Sequence, residues 1–201
     1  LIEGAPGLAK TRSVRRLSDA VEGSFARIQC TPDLMPSDVT GTQVWRQDSG
    51  TMEFLHGPVF HSLVLVDEIN RAPPKVQSAL LEAMAEGQVT SGGLARPLPE
   101  PFMVVATQNP LEQEGTFPLP EAQLDRFLFH VLLDLPDEQT ELAILDLVEG
   151  ELRSHTGHAE PSLTHATLAA MKEEVLQVHL SPALRRYIVA LVMMTRTGGN
   201  G

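Results

Sequence analysis

Apolar positions along the chain switch between two periods, and the switching is that of strands interleaved with helices. Leu63-Val64-Leu65-Val66 is an unbroken apolar run, the pattern of a parallel strand covered on both faces. Leu1-Ile2, Phe25 to Cys30, Phe102 to Ala106 and Phe127 to Leu133 supply four further strands. Between them, Lys10 to about Val21 reads as a helix stopped near Gly23. Val76, Leu80 and Met84 recur at helical spacing behind Pro73-Pro74, with Gly87 as the stop. Thr42 to Arg46 and Thr51 to Phe54 flank Gln47-Asp48-Ser49-Gly50 and predict a β-hairpin. On it, Trp45 and Phe54 form either a cross-strand pair, the favoured reading, or a partner-binding tip. Val89 to Pro101 holds two glycines and three prolines and reads as a loop. Beyond Pro136-Asp137 no strand pattern remains, and helices are expected around Leu142 to Val148 and Leu184 to Val192. The fold class is therefore α/β. A parallel five-stranded sheet sandwiched by helices occupies 1–136, and an all-helical region occupies 137–201.

Composition narrows the function. The 201 residues include 15 basic and 26 acidic ones, a formal net charge of −11, which argues against a protein that coats nucleic acid. Threading nucleic acid through a small basic pore stays open. One cysteine, Cys30, makes an intrachain disulfide impossible, and a reducing, cytoplasmic setting is expected. No apolar run approaches the roughly 18 residues of a membrane helix, so no membrane insertion is expected. The seven histidines show no paired metal-ligand spacing. The chain starts Leu1-Ile2 as if inside a strand and stops just after an apolar helix, so it reads as an excerpt of a longer protein.

Two motifs carry the chemistry. Gly4-Ala5-Pro6-Gly7-Leu8-Ala9-Lys10-Thr11 lies between a strand and a helix, where backbone N–H groups and the helix N-terminus cradle anions. Lys10 reaches the β- and γ-phosphates of a nucleoside triphosphate, and Thr11 offers its hydroxyl to Mg²⁺. Ala9 stands where the general pattern has glycine; it leaves the approach to phosphate open if its φ is negative. The second motif is the apolar strand ending in Asp67-Glu68, 57 residues after Lys10. In a doubly wound sheet the two carboxylates fall beside the phosphate loop. Asp67 holds the water shell of Mg²⁺ and Glu68 polarises an attacking water. The pair defines a P-loop NTPase. Asn109, after the fourth strand, reads as a water-positioning amide if that strand lies between the two motif strands, and otherwise as a turn residue before Pro110. Arg126 closes a short helix and reads either as a group offered to a neighbouring subunit or as a surface partner of Asp125 or Glu121.

These blocks, with Thr31 to Gly41, Asp67 to Pro74, Ala106 to Pro110 and Leu119 to Phe127, resemble the MoxR family of AAA+ ATPases over residues 1 to about 135. Ala9 is what that family carries in its loop. The resemblance implies ATP hydrolysis with Mg²⁺, Asn109 as the γ-phosphate sensor and Arg126 as a finger acting in trans. It also implies that the hairpin near Trp45 and the segment 89–101 are inserts facing the pore of a homo-oligomeric ring, usually a hexamer. It further implies a chaperone-like role in assembling or maturing protein complexes, a partner bearing a von Willebrand factor A domain, and kinship with magnesium-chelatase motor subunits. The helical part matches a lid, although Arg185, Arg186 and Arg196 do not match the family's second sensor arginine. Rival readings are a nucleotide-dependent binding switch with little turnover, a ring helicase and a small-molecule phosphotransferase.

Overall fold

The computed structural model describes residues 1–5, 7–110, 114–153 and 162–197. Strand β1 (Ile2–Gly4) runs through the Gly-rich loop into helix α1 (Lys10–Ala20), and β2 (Phe25–Gln29) follows. A short helix α2 (Pro36–Thr40) leads to the hairpin β3 (Gly41–Arg46) and β4 (Thr51–His56). Then come β5 (Leu63–Asp67), α3 (Pro74–Glu86), a second hairpin β6 (Gln88–Ser91) and β7 (Leu94–Pro97), and β8 (Met103–Gln108). Helix α4 (Glu121–Leu124), β9 (Val131–Leu133) and α5 (Glu138–Arg153) complete a first unit, Leu1–Leu163. The second unit, Thr164–Gly201, contains α6 (His165–Gln177) and α7 (Pro182–Thr197).

Five strands form one parallel sheet in the order β2-β5-β8-β1-β9. Strand β8 thus lies between β5 and β1, as the reading of Asn109 requires. The apolar run of β5 is buried throughout, and its side chains alternate between two cores. Leu63 and Leu65 meet Val14 of α1, with Ile2, Phe25 and Val105 packed on them. Val64 and Val66 belong to the larger core with Ile28, Val76, Leu80 and Ala83. Each such burial contributes roughly 1.5–3 kcal/mol, so a sheet clamped on both faces fixes where its strands end. Helix α3 starts on Pro74, whose missing N–H costs nothing in a first turn. It ends at Gly87, which takes the left-handed conformation (φ 62°) and donates to the Ala83 carbonyl at 3.0 Å.

Four local readings change. The segment 89–101 is not a plain loop: β6 and β7 pair antiparallel around Gly92-Gly93, whose φ values of 60° and 76° match a primed two-residue turn. The Gly-Gly signal was there, but three nearby prolines masked it. On the first hairpin, Trp45 opposes Met52 and Phe54 opposes Gln43, so Trp45 and Phe54 are not a pair. The four-residue turn fixes Arg46 opposite Thr51 and thereby the whole register. Phe54 packs instead edge-on against His56 and Phe60, under the guanidinium of Arg96 at 4.1 Å. Strand β9 begins at Val131 rather than Phe127, because the Phe127 N–H still serves the α4 turn by donating to the Leu124 carbonyl at 3.0 Å. Its ladder with β1 runs from Ile2–Val131 to Gly4–Leu133. Helix α6 escaped the sequence pattern; its start is marked by Thr164, whose hydroxyl accepts from the Thr167 N–H at 3.1 Å. Among the described residues no helix is long and apolar enough to cross a membrane.

Candidate nucleotide site

The loop after β1 is shaped by two requirements. Gly4 must be glycine, because a Cβ there would sit 2.8 Å from the Leu133 carbonyl oxygen and 3.1 Å from Leu8 Cδ1. Gly7, at φ 87°, lies where only glycine is unstrained. Ala9 corrects the sequence reading. Its φ is +54°, not negative, and it caps α1 from the left-handed region while its carbonyl accepts from the Ser13 N–H at 3.0 Å. An L-residue held so costs roughly 1–2 kcal/mol, strain of the kind found at ligand-binding loops. Pro6 lies outside the described residues. The Lys10 ammonium spans the loop, donating to the carbonyls of Gly4 at 2.6 Å, Ala5 at 3.3 Å and Gln108 at 3.4 Å. It therefore stands at the carboxyl ends of both β1 and β8.

Thr11 and Asp67, predicted from separate motifs, meet. The Thr11 hydroxyl donates to Asp67 Oδ2 at 3.0 Å. Thr107 at the end of β8 donates to Oδ1 at 2.5 Å, and Arg27 of β2 donates to Oδ2 through Nε at 3.1 Å and Nη2 at 2.6 Å. Burial pushes the Asp67 carboxyl up, but the hydrogen bonds from Thr107, Arg27 and Thr11 and the Arg27 charge outweigh it and hold the group below its ordinary range. A hydroxyl and an ionised carboxylate this close form a hard-oxygen pair that suits Mg²⁺, which takes one or two protein oxygens beside phosphates.

Glu68 occupies the next position in the left-handed region, φ 56° and ψ 53°. Its N–H donates to the Thr107 hydroxyl at 3.0 Å, so Thr107 ties both acidic residues to β8. The carboxylate accepts from Gln29 Nε2 and Arg71 Nη1, both at 3.2 Å. The turn is braced from α3 by buried Gln77, whose amide donates to the carbonyls of Ile69 at 3.3 Å and Ala72 at 3.1 Å. Asn109 is buried just beyond β8, and its carbonyl accepts from Asn70 at 3.4 Å. Arg126 stands apart from this cluster. It is exposed, its Nη1 donates to the Leu81 carbonyl of α3 at 3.2 Å, and among the described residues it makes no ion pair with Asp125 or Glu121. It shares a concavity of about 300 Å³ with Ser78, Glu82, Glu86 and Gln123. Sequence reasoning missed Arg27, Gln29, Thr107 and Gln77. Pairing of β2 with β5 in the register Gln29–Asp67 was the only clue to the first two, and it is not written in local pattern.

A parallel sheet whose strand ends gather a glycine-bearing loop, a lysine, and a threonine hydrogen-bonded to a strand-terminal Asp-Glu defines a nucleotide-binding core of the P-loop class. The chain belongs to the MoxR-type branch of the ATPase family associated with various cellular activities (AAA), whose model matches residues 1–129. It is 47% identical over 197 residues to YeaC of Bacillus subtilis, covering 98% of this chain and 61% of that protein. It is 44% identical over 196 residues to the chaperone MoxR1 of Mycobacterium tuberculosis, covering 98% of this chain and 51% of the relative. A crystal structure described as a candidate ATPase from Cytophaga hutchinsonii superposes with a TM-score of 0.82 at 45% identity, over 96% of this chain and 58% of the other. The chain thus spans between half and two thirds of the length of these relatives.

Proposed function

We propose that this chain is the core of an ATP-hydrolysing motor and that it works in a homo-oligomeric ring, a hexamer by family resemblance. The observation that carries the reading is the Thr11–Asp67 hydrogen bond, which joins the two halves of the signature at one point. In this reading the loop Gly4, Ala5, Pro6, Gly7, Leu8 and Ala9 takes the phosphates through its backbone N–H groups, of which Pro6 has none, together with the Lys10 ammonium. Thr11 and Asp67 hold Mg²⁺, which neutralises phosphate charge. Glu68 accepts the proton of an attacking water that Asn109 orients. Arg126 completes the site of the adjacent subunit, for which its exposed position is suitable. In the same reading the lid takes in residues 137–201, and so begins with α5 of the first unit ahead of α6 and α7 of the second. A chaperone-like role accords with the name of the relative, the chaperone MoxR1; that the role is assembling or maturing protein complexes, with a von Willebrand factor A domain protein as partner, is what the family resemblance implies.

The test uses two variants of the full chain. Lys10→Ala is expected to lose nucleotide binding, because the loop loses its cation. Glu68→Gln is expected to bind ATP normally and to stop turnover, because an amide takes up no proton. Wild-type hydrolysis by Glu68→Gln overturns the assignment of the base, and ATP binding by Lys10→Ala at wild-type affinity overturns the phosphate loop.

A further inference from the structure

Oδ2 of Asp67 accepts from three donors: the Thr11 hydroxyl at 3.0 Å, Arg27 Nε at 3.1 Å and Arg27 Nη2 at 2.6 Å. A carboxylate oxygen offers about two lone-pair sites. A cation that engages Oδ2, either directly or through a bound water that donates to it, therefore displaces a donor. Thr11 can stay, since its hydroxyl oxygen has lone pairs of its own to turn toward the cation. Arg27 cannot, since a guanidinium has no acceptor and carries the same sign of charge.

The surroundings let Arg27 leave. Its side chain is 48% exposed, whereas that of Asp67 is 10% exposed. Nη2 also donates to Gln29 Oε1 at 2.8 Å, on the same face of β2 two residues on, so the guanidinium has a second anchor at the rim. Lys10 is committed elsewhere, to the loop carbonyls. Arg27 is thus the cation that touches the proposed metal ligand directly.

We propose that Arg27 and the divalent cation compete for Oδ2 of Asp67, so that Arg27 is a positioning residue that sets how tightly the metal–nucleotide complex binds. The inference rests on Asp67 holding the metal, directly or through its bound water. Arg27 keeps the carboxylate ionised and aimed, and yields it when a doubly charged ion arrives. The affinity of the site for metal is then lower than the Thr11–Asp67 pair alone would provide.

Mn²⁺ serves as the probe. Its binding to the full chain saturated with a non-hydrolysable ATP analogue is followed by loss of the free-ion paramagnetic resonance signal, in wild type, Arg27→Gln and Arg27→Lys. Arg27→Gln is expected to bind Mn²⁺ about tenfold tighter, the scale of one hydrogen bond to a charged group. Arg27→Lys should fall between, because an ammonium cannot make the two-pronged contact. Equal or weaker Mn²⁺ binding by Arg27→Gln overturns the proposal and leaves a structural ion pair. A second measurement needs no variant: in wild type, the arginine side-chain nitrogen resonances should report release of one guanidinium when Mg²⁺ and the analogue are added. Unmoved resonances at saturation also overturn it. If wild type binds no analogue, the nucleotide reading falls and this inference with it. If analogue and Mn²⁺ bind and Arg27 makes no difference, only the competition falls.

Discussion

The Thr11 hydroxyl reaches Asp67 Oδ2 at 3.0 Å across 56 residues of sequence, and two strands of one sheet put it there. Thr11→Val keeps the shape of the side chain and removes the hydroxyl. Calorimetric titration with an ATP analogue should show affinity in the presence of Mg²⁺ falling roughly tenfold or more, the worth of a hydrogen bond to a charged group. Affinity without metal should hardly change, and Thr11→Ser should stay near wild type. A loss of equal size with and without Mg²⁺ would place Thr11 on the phosphates alone.

Arg126 tests the ring. Arg126→Ala should leave ATP affinity nearly unchanged while turnover falls by about 10³ or more, the scale of an arginine finger. Mixing Arg126→Ala with Lys10→Ala protein should restore part of the activity, since each supplies what the other lacks. A role confined to holding the Leu81 carbonyl predicts normal turnover and a stability change of about 1 kcal/mol. A mixture no more active than its parts, in assembled rings, would exclude the trans role.

Most of the sheet was legible because a strand buried on both faces leaves an unbroken apolar run, as Leu63 to Val66 does. That Thr11 and Asp67 would meet was legible because each sits at a fixed offset from a strand end. Arg27 and Gln29 were not, because their roles depend on β2 lying beside β5, a neighbour relation set by the whole fold. The sign of the Ala9 φ was missed for a related reason. Alanine has no intrinsic wish for the left-handed region, and the loop around it imposes that conformation. The β6–β7 hairpin was missed by weighing the prolines over Gly92-Gly93.

Cys30 gives a pH signature. Burial, then the charges of Asp67 and Glu68, pushes its thiol from 9.0 up to about 12. The unfolded chain ionises near 9.0 while the folded one stays neutral, so this group's contribution to stability is complete below pH 9 and declines as pH rises from 9 toward 12. Denaturant unfolding between pH 8 and 11 should fall more steeply for wild type than for Cys30→Ala, by up to about 1.4 kcal/mol per pH unit. Identical slopes would mean the thiolate is tolerated in the fold.

The first hairpin has a hinge-tight base and a slack tip. A Cβ on Gly41, at φ 95°, would lie 2.3 Å from the Leu55 carbonyl oxygen and 2.7 Å from the Gly57 nitrogen. On Gly50, at φ 64°, it would meet nothing within 4 Å. Gly50→Ala should cost only the left-handed strain, roughly 1–2 kcal/mol, and Gly41→Ala roughly 2–4 kcal/mol because overpacking adds to it. Denaturation midpoints of the two variants settle the order.

The left-handed backbone at Glu68 has a consequence for selection. Glycine or asparagine would relax that residue and yield about 1 kcal/mol, worth a few degrees in unfolding temperature. A library selected for heat tolerance alone should therefore accumulate Gly or Asn at 68, and the survivors should unfold at higher temperature but no longer turn over ATP. Selection that also demands turnover should hold the glutamate in place against that gradient. Position 68 thus becomes a gauge of which pressure a population of variants has been under.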